Sequence, residues 1–265
     1  MPEQTVKQTR PVPELEVLHE QPPEDGGRPP ILFVHGAGHG AWCWQYWMEG
    51  VAAAGYPACA VSLRGHAGSD GSLLSANLGA YVNDVIRTAA TLPEQPVMVG
   101  HSLGGLVVQK VIEQYPARAA VLVSSIPTRP GVGTLMSIAR QHPLDAAKIL
   151  AGGSLPMRPE YLFNELDPAE ADGFAARTGR ESALAQFQVL LHRPGGQPLG
   201  GAPVLVLGTP EDRLVPIGDV RSTARHFRAD LLEFPGMGHD LMLDARRDEP
   251  MEAMIGWLDS LPSRD

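Results

Sequence analysis

The chain has 265 residues, 43% of them hydrophobic, with 21 basic against 30 acidic side chains and a formal charge of −9. That length suits one large domain with room for an insertion, and an acidic balance without any basic run argues against a nucleic-acid partner. No apolar segment approaches the roughly 20 residues that span a bilayer. The opening MPEQTVKQTRPVPE lacks the apolar core of a signal peptide. Residues 1–14 therefore read as a flexible leader, and a cytoplasmic location with no membrane partner is expected. Cys43 and Cys59 sit in apolar surroundings and read as small core residues rather than a disulfide. No CxxC, HExxH or EF-hand pattern occurs, so neither a metal nor a cofactor is expected.

Apolar runs of strand length alternate with helical stretches along most of the chain. In order, the pattern predicts an edge strand at Leu15–Leu18, strands at Ile31–His35 and Ala58–Leu63, and a helix over Tyr81–Ala90. A strand at about Val97, a helix after Ser102, and a strand over Ala119–Ser124 follow. Further on come a strand at Val204–Gly208, a helix at Ile217–Phe227, a strand at Asp230–Phe234 and a helix at Glu252–Leu261. Such alternation implies an α/β protein with a mostly parallel sheet covered by helices on both faces. The alternation breaks between Pro127 and Arg193. Helical patches at Thr134–His142, Leu144–Leu150 and Ala183–Leu191 occur there without a convincing strand, and Asp167-Pro168 has the form of an N-cap followed by a first-turn proline. Residues 127–193 are read as a helical cap inserted into a core made of 15–126 and 194–265. A set of ordinary crossover helices is the alternative, and the length favours a cap.

Gly100-His101-Ser102-Leu103-Gly104 fits G-x-S-x-G. An apolar run, Pro96 to Val99, leads in, and a periodic segment, Leu103 to Tyr115, leads out. A serine between a strand and a helix is the setting a nucleophile elbow requires. Gly100 and Gly104 leave room where helix and strands pass close together. A serine hydroxyl needs a base, and His239 follows the strand ending at Phe234 across a Gly-rich turn. An imidazole in that role needs a carboxylate to set its tautomer. Asp212 lies just past the strand end in VLVLGTPEDRLVP, with Glu211 as an adjacent competitor and Asp219 and Asp244 near in sequence. Asp212 is preferred because it leads into the loop ending at Pro216. The strand end at Ser124-Ser125 carries no acid.

The order Ser102, Asp212, His239 is that of α/β-hydrolases, and the chain resembles that family from about Leu32 to Leu261. The resemblance implies an α/β-hydrolase fold with a helical cap. It also implies that the loop FVHGAGHGAWCW, Phe33 to Trp44, supplies an oxyanion hole from the backbone N–H groups of Ala37 and Leu103. His39 then lines the entrance or locks the loop, while Trp42, Trp44 and Trp47 pack a following helix. Arg64-Gly65-His66-Ala67-Gly68-Ser69 resembles the buttressing R-G-x-G-x-S loop of these hydrolases, one residue longer. Gly36 to Ala41 also fits the dinucleotide fingerprint G-x-G-x-x-A. However, ACAVSL has no acid at its end for a ribose, and that reading leaves Ser102, Asp212 and His239 unexplained.

A serine nucleophile implies an acyl-enzyme, so the expected activity is hydrolysis of a small-molecule carboxylic ester, thioester or lactone. Apolar cap residues, including Leu135, Met136, Met157, Tyr161, Leu162, Phe163 and Phe187, suit an apolar substrate, or else pack the cap on the sheet. HGAGHGAWCW especially resembles the plant methylesterase and hydroxynitrile-lyase branch. The lyases typically carry threonine after the first histidine and lysine after the catalytic one, where this chain has Gly36 and Asp240. A charge on Asp240 is expected to oppose a leaving cyanide. Hydrolysis is therefore preferred, with a hydroxynitrile-lyase-like enzyme and a noncatalytic ligand receptor as alternatives.

Overall fold

A computed structural model describes residues 12–24 and 26–262. Of the expected leader 1–14, residues 1–11 lie outside the described residues, and the Glu14 carbonyl accepts from Asp70 N at 2.9 Å. In chain order the first elements are β1 (Val17–Glu20), β2 (Ile31–Val34), α1 (Gln45–Ala53), β3 (Ala58–Val61), α2 (Leu78–Ala89), β4 (Val97–His101), α3 (Ser102–Ile112) and β5 (Ala119–Val123). Next come α4 (Val132–Gln141), α5 (Pro143–Leu150), α6 (Pro159–Leu162), α7 (Pro168–Arg177) and α8 (Ala183–Leu191). The chain closes with β6 (Val204–Gly208), α9 (Ile217–Phe227), β7 (Asp230–Glu233) and α10 (Asp248–Ser260).

The strands form one seven-stranded sheet in the order β1-β3-β2-β4-β5-β6-β7. β1 pairs antiparallel with β3, and every other pair is parallel. Parallel strands with helices on both faces must be apolar throughout, and β2, β3, β4, β5 and β6 are buried at every position. The register pairs Val34 with Gly100, His101 with Val123, Val123 with Leu207, and Gly208 with Glu233. The carboxyl ends of β2, β4, β6 and β7 therefore open on one edge, where an open α/β sheet forms its crevice.

Local chemistry sets where the helices start. α2 begins at Leu78, three residues before the expected Tyr81, because the Asn77 side chain accepts from Ala80 N at 2.9 Å. Its buried Leu78, Tyr81, Val82 and Val85 then form one stripe. α10 begins at Asp248 rather than Glu252. Pro250 falls within its first turn, where a missing N–H loses no bond. β1 lies two residues later than Leu15–Leu18. It is an edge strand whose pairing with β3, Val17 opposite Val61, sets its limits better than its apolar content. Five helices, α4 to α8, occupy the excursion between β5 and β6. Asp167 caps α7 by accepting from Ala169 N at 2.9 Å, with Pro168 at its first position. The short helix α6 was not foreseen, since its four residues hold too little periodic pattern.

Candidate active site

Ser102 stands where β4 ends and α3 begins, with φ +50°, a left-handed conformation that non-glycine residues rarely adopt. The turn is held from beneath by close packing. A Cβ on Gly104 would lie 2.3 Å from the His35 carbonyl oxygen and 2.5 Å from that of Val34. One on Gly100 would lie 2.5 Å from the Gly104 carbonyl oxygen. Only bare backbone lets α3 sit this close to β2 and β4. Helix α3 presents its N-terminal N–H groups, Leu103 among them, at a position where no intrahelical acceptor exists.

Asp212 and His239 meet on this edge from separate loops. The Asp212 Oδ2 accepts from His239 Nδ1 at 2.7 Å, while Oδ1 accepts from the backbone N–H groups of Leu214 and Val215, both at 2.8 Å. Its orientation is thus fixed by three donors. His239 carries its proton on Nδ1 and keeps Nε2 for a second partner. Burial works against the His239 imidazolium, but the charge and hydrogen bond of Asp212, with the charge of Asp240, outweigh it and hold His239 above the ordinary histidine range. Glu211 takes no part in this contact. Its carboxylate accepts from Gly236 N at 2.8 Å and from the Thr209 hydroxyl at 3.0 Å. Asp219 pairs with Arg129, and Asp244 accepts from Gly238 N, shaping the turn before His239.

The Gly-rich loop after β2 is held by its own histidines. His35 donates from Nδ1 to the Gly36 carbonyl at 2.8 Å and accepts at Nε2 from Leu63 N at 2.9 Å. Burial first, then the His66 charge, pushes His35 well below the usual histidine range, which keeps it neutral in that tautomer. The His39 N–H also donates to Gly36 O, at 3.2 Å. Two donors thereby anchor the peptide between Gly36 and Ala37, and its trans geometry directs the Ala37 N–H the opposite way. The His39 ring locks the loop: Nδ1 faces the Ala37 carbonyl at 2.9 Å and Nε2 the Asp240 carboxylate at 3.0 Å. Arg64, in the loop expected to buttress the site, bonds the buried Asp84 through Nε at 2.9 Å and Nη2 at 2.6 Å.

Asp240 departs from its expected place. Its carboxylate is fully buried on His39 and 3.3 Å from His101 Nε2, and it does not line the cavity above Ser102. Sequence adjacency to His239 could not show this, because the partner that draws Asp240 inward, His39, is 201 residues away. His101 was not singled out either. Its ring packs 4.7 Å from that of His239, its Nε2 donates to the His239 carbonyl at 3.3 Å, and burial lowers its pKa to about 3, so it is neutral. Among the described residues, His101, His239 and Asp240 have ligand atoms within 4.8 Å of one another. Each of the three also bonds a protein group: His239 Nδ1 the Asp212 carboxylate, His101 Nε2 the His239 carbonyl, and Asp240 Oδ2 the His39 ring.

Ser102, His239, Ala37 and Leu103 all line one cavity. Its remaining wall is largely apolar, with Ile126, Leu135, Ile138, Met157, Leu162 and Val189 facing in. Of the apolar cap residues considered from sequence, Met136, Tyr161, Phe163 and Phe187 are not among its lining residues.

A family model described as "Alpha/beta hydrolase family" matches residues 31–253. The chain belongs to the alpha/beta hydrolase family. The chain is 38% identical to a probable esterase of Oryza sativa subsp. indica over 119 residues, which are 43% of this chain and 44% of that one. The aligned stretch thus spans less than half the length of that relative. It is 32% identical over 213 residues to a pFDCC methylesterase of Arabidopsis thaliana, covering 72% of this chain and 80% of the relative. Among solved structures, a soluble variant of monoglyceride lipase from Saccharomyces cerevisiae superposes with a TM-score of 0.77 at 13% identity, over 97% of this chain and 95% of that one. An esterase from Exiguobacterium antarcticum gives 0.70 at 15% identity, over 94% and 96%. At these identities the likeness is one of fold. Among the described residues, no helix is long and apolar enough to cross a membrane.

Proposed function

We propose that this chain hydrolyses a neutral, apolar carboxylic ester through an acyl-enzyme on Ser102. The observation that carries the reading is the cavity itself. Ser102 and His239 line it together with Ala37 and Leu103, and the rest of its wall is mostly aliphatic. In this reading His239 takes the Ser102 proton at Nε2 as the hydroxyl oxygen bonds to the carbonyl carbon. The N–H groups of Ala37 and Leu103 hold the oxygen as it becomes negative. Asp212 keeps the imidazole in its tautomer and stabilises its cation. His239 then gives its proton to the leaving alcohol, and a water activated by the same ring releases the acid. Every step uses groups of this chain, and no cofactor is needed. We assign residues 127–193 to a cap over the site, with 15–126 and 194–265 as the core. The cytoplasmic location expected from sequence is kept in this reading; two free buried cysteines suit a reducing compartment.

No Lys, Arg, Asp or Glu is among the residues that line the cavity. An ionised substrate group would therefore be buried without a partner, which is strongly unfavourable. p-Nitrophenyl butyrate is expected to be turned over at least about tenfold faster than an ester bearing a free carboxylate of similar size. A fluorophosphonate should label Ser102, read by mass spectrometry of the peptide. Dominant labelling of Ser124 or Ser125, or preference for the charged ester, would contradict the assignment.

The raised pKa of His239 gives a signed pH prediction. Protonation of Nε2 removes the base, so kcat/KM should be low in acid and rise as the ring loses its proton. Because Asp212 and Asp240 hold that proton, the midpoint should lie above the ordinary value of about 6.5. A midpoint at or below that value would show that burial, not the carboxylates, dominates.

A further inference from the structure

We propose that Glu181 is a positioning residue that ties the cap to the oxyanion loop, so that donor geometry beside Ser102 depends on how the cap is seated. The inference rests on the ester-hydrolase reading above and adds a group outside the Ser102, Asp212 and His239 set. Glu181 lies between α7 and α8, and its side chain is fully buried. A carboxylate removed from water is costly unless its lone pairs are taken up. Here four donors do so, from three parts of the core and the residue that follows. Oε1 accepts from the Tyr81 hydroxyl and from Ser182 N, both at 2.6 Å. Oε2 accepts from His66 Nε2 at 3.2 Å and from Gly38 N at 3.3 Å. His66 also faces the Arg64 carbonyl with Nδ1 at 3.3 Å, so both ring nitrogens face acceptors; burial opposes the protonated ring, but Glu181 outweighs it and raises the His66 pKa.

Gly38 is the decisive contact. It follows Ala37, whose N–H is the proposed oxyanion donor. The cap grips Gly38 from both sides of its backbone: Glu181 accepts from its N–H, and Gly179 N donates to its carbonyl at 2.6 Å. Gly38 has φ +68°, and a Cβ there would stand 2.7 Å from the Gly179 carbonyl oxygen. A side chain would push loop and cap apart. Four residues further along the chain, the Arg177 guanidinium lies 4.1 Å from the Trp42 ring centroid and adds a second tie between cap and loop. Residues 177–182 thus bind the loop as a strip, and Glu181 is the part of it that also reaches His66 and Tyr81. Loss of that carboxylate releases the Gly38 N–H and leaves Gly179 as the cap's hold on the Gly38 carbonyl. The Ala37 peptide keeps its core-side anchors, His35 and His39, but its neighbour is then held at one end only.

The test uses p-nitrophenyl butyrate and a trifluoromethyl ketone of matching chain length, which forms a tetrahedral adduct with an oxyanion. In Glu181→Gln one side of the carboxamide becomes an NH2 that faces two donors, either Tyr81 and Ser182 or His66 and Gly38. Misplacing a donor without deleting it is expected to lower kcat about 10- to 100-fold, below the full loss of an oxyanion donor. KM should stay within about threefold, and affinity for the ketone should fall by the same factor as kcat/KM. Tyr81→Phe removes one of the four bonds without altering charge, and should show the same pattern at about two- to tenfold. It carries the test if Glu181→Gln does not fold. Wild-type kcat in the folded variants, or a rise in KM alone with unchanged ketone affinity, would overturn the role. Ser102→Ala separates the two levels. Full turnover in that variant would remove the underlying reading, whereas a Ser102-dependent enzyme indifferent to both substitutions would remove only this inference.

Discussion

Asp212→Asn should lower kcat on a p-nitrophenyl ester by around 10⁴-fold while the protein stays folded. Asp212 Oδ1 is held by Leu214 N and Val215 N, and Oδ2 accepts from His239 Nδ1. An asparagine keeps its oxygen on the two backbone donors and so turns its NH2 toward His239. Donor then faces donor, and the ring moves its proton to Nε2 to accept. Nε2–H cannot take the Ser102 proton. Glu211→Gln is the matched control. Its carboxylate is exposed and bonds Thr209 and Gly236 rather than His239. Its loss should change kcat by no more than about threefold. Steady-state kinetics on the two variants, with circular dichroism to confirm folding, decide the matter. A Glu211→Gln enzyme more damaged than Asp212→Asn would reverse the assignment.

Gly104→Ala should be the most damaging single methyl in the molecule. The added Cβ would meet backbone oxygens of His35 at 2.3 Å and Val34 at 2.5 Å. Neither can swing aside as a side chain could. Overpacking a rigid site costs about 1–3 kcal/mol and more where backbone must shift, so a loss of about 3 kcal/mol or more is expected here. Relief would move the start of α3 away from β2, carrying Ser102 with it, and a shift of about 1 Å at a reacting group costs about 100-fold in rate. Gly173→Ala provides the contrast. It lies in α7, exposed, with nothing within 4 Å of the added atom, and should stabilise by about 0.5–1 kcal/mol. Thermal melts and turnover of the pair test the argument. A Gly104→Ala protein of wild-type stability would show that the close packing of α3 on β2 is softer than described.

Much of the molecule was legible in its sequence because the signals are local. Apolar runs of strand length mark β2 through β6, since a strand covered on both faces has no polar side to confuse the pattern. The Ser102 turn is readable from its neighbours, because strand, glycines and helix all lie within about a dozen residues. Helices α8 and α9 and strand β6 fall where the pattern places them, at Ala183–Leu191, Ile217–Phe227 and Val204–Gly208. Element ends were less legible, since the Asn77 cap and the first-turn Pro250 act on one or two residues only.

The tertiary structure alone decided the contacts between distant segments. Glu211 and Asp212 are neighbours of similar chemistry, and only the turn between β6 and α9 directs one to His239 and the other to Gly236. Asp240 follows His239 in sequence but faces inward, because burial demands a partner and His39 supplies it from the far end of the chain. His101 reads as filler within the elbow, yet its ring packs against His239. Glu181 carries no motif, and its four donors are gathered from segments between 1 and 143 residues away. A buried charge is recognisable only by what surrounds it, and what surrounds it is set by the fold.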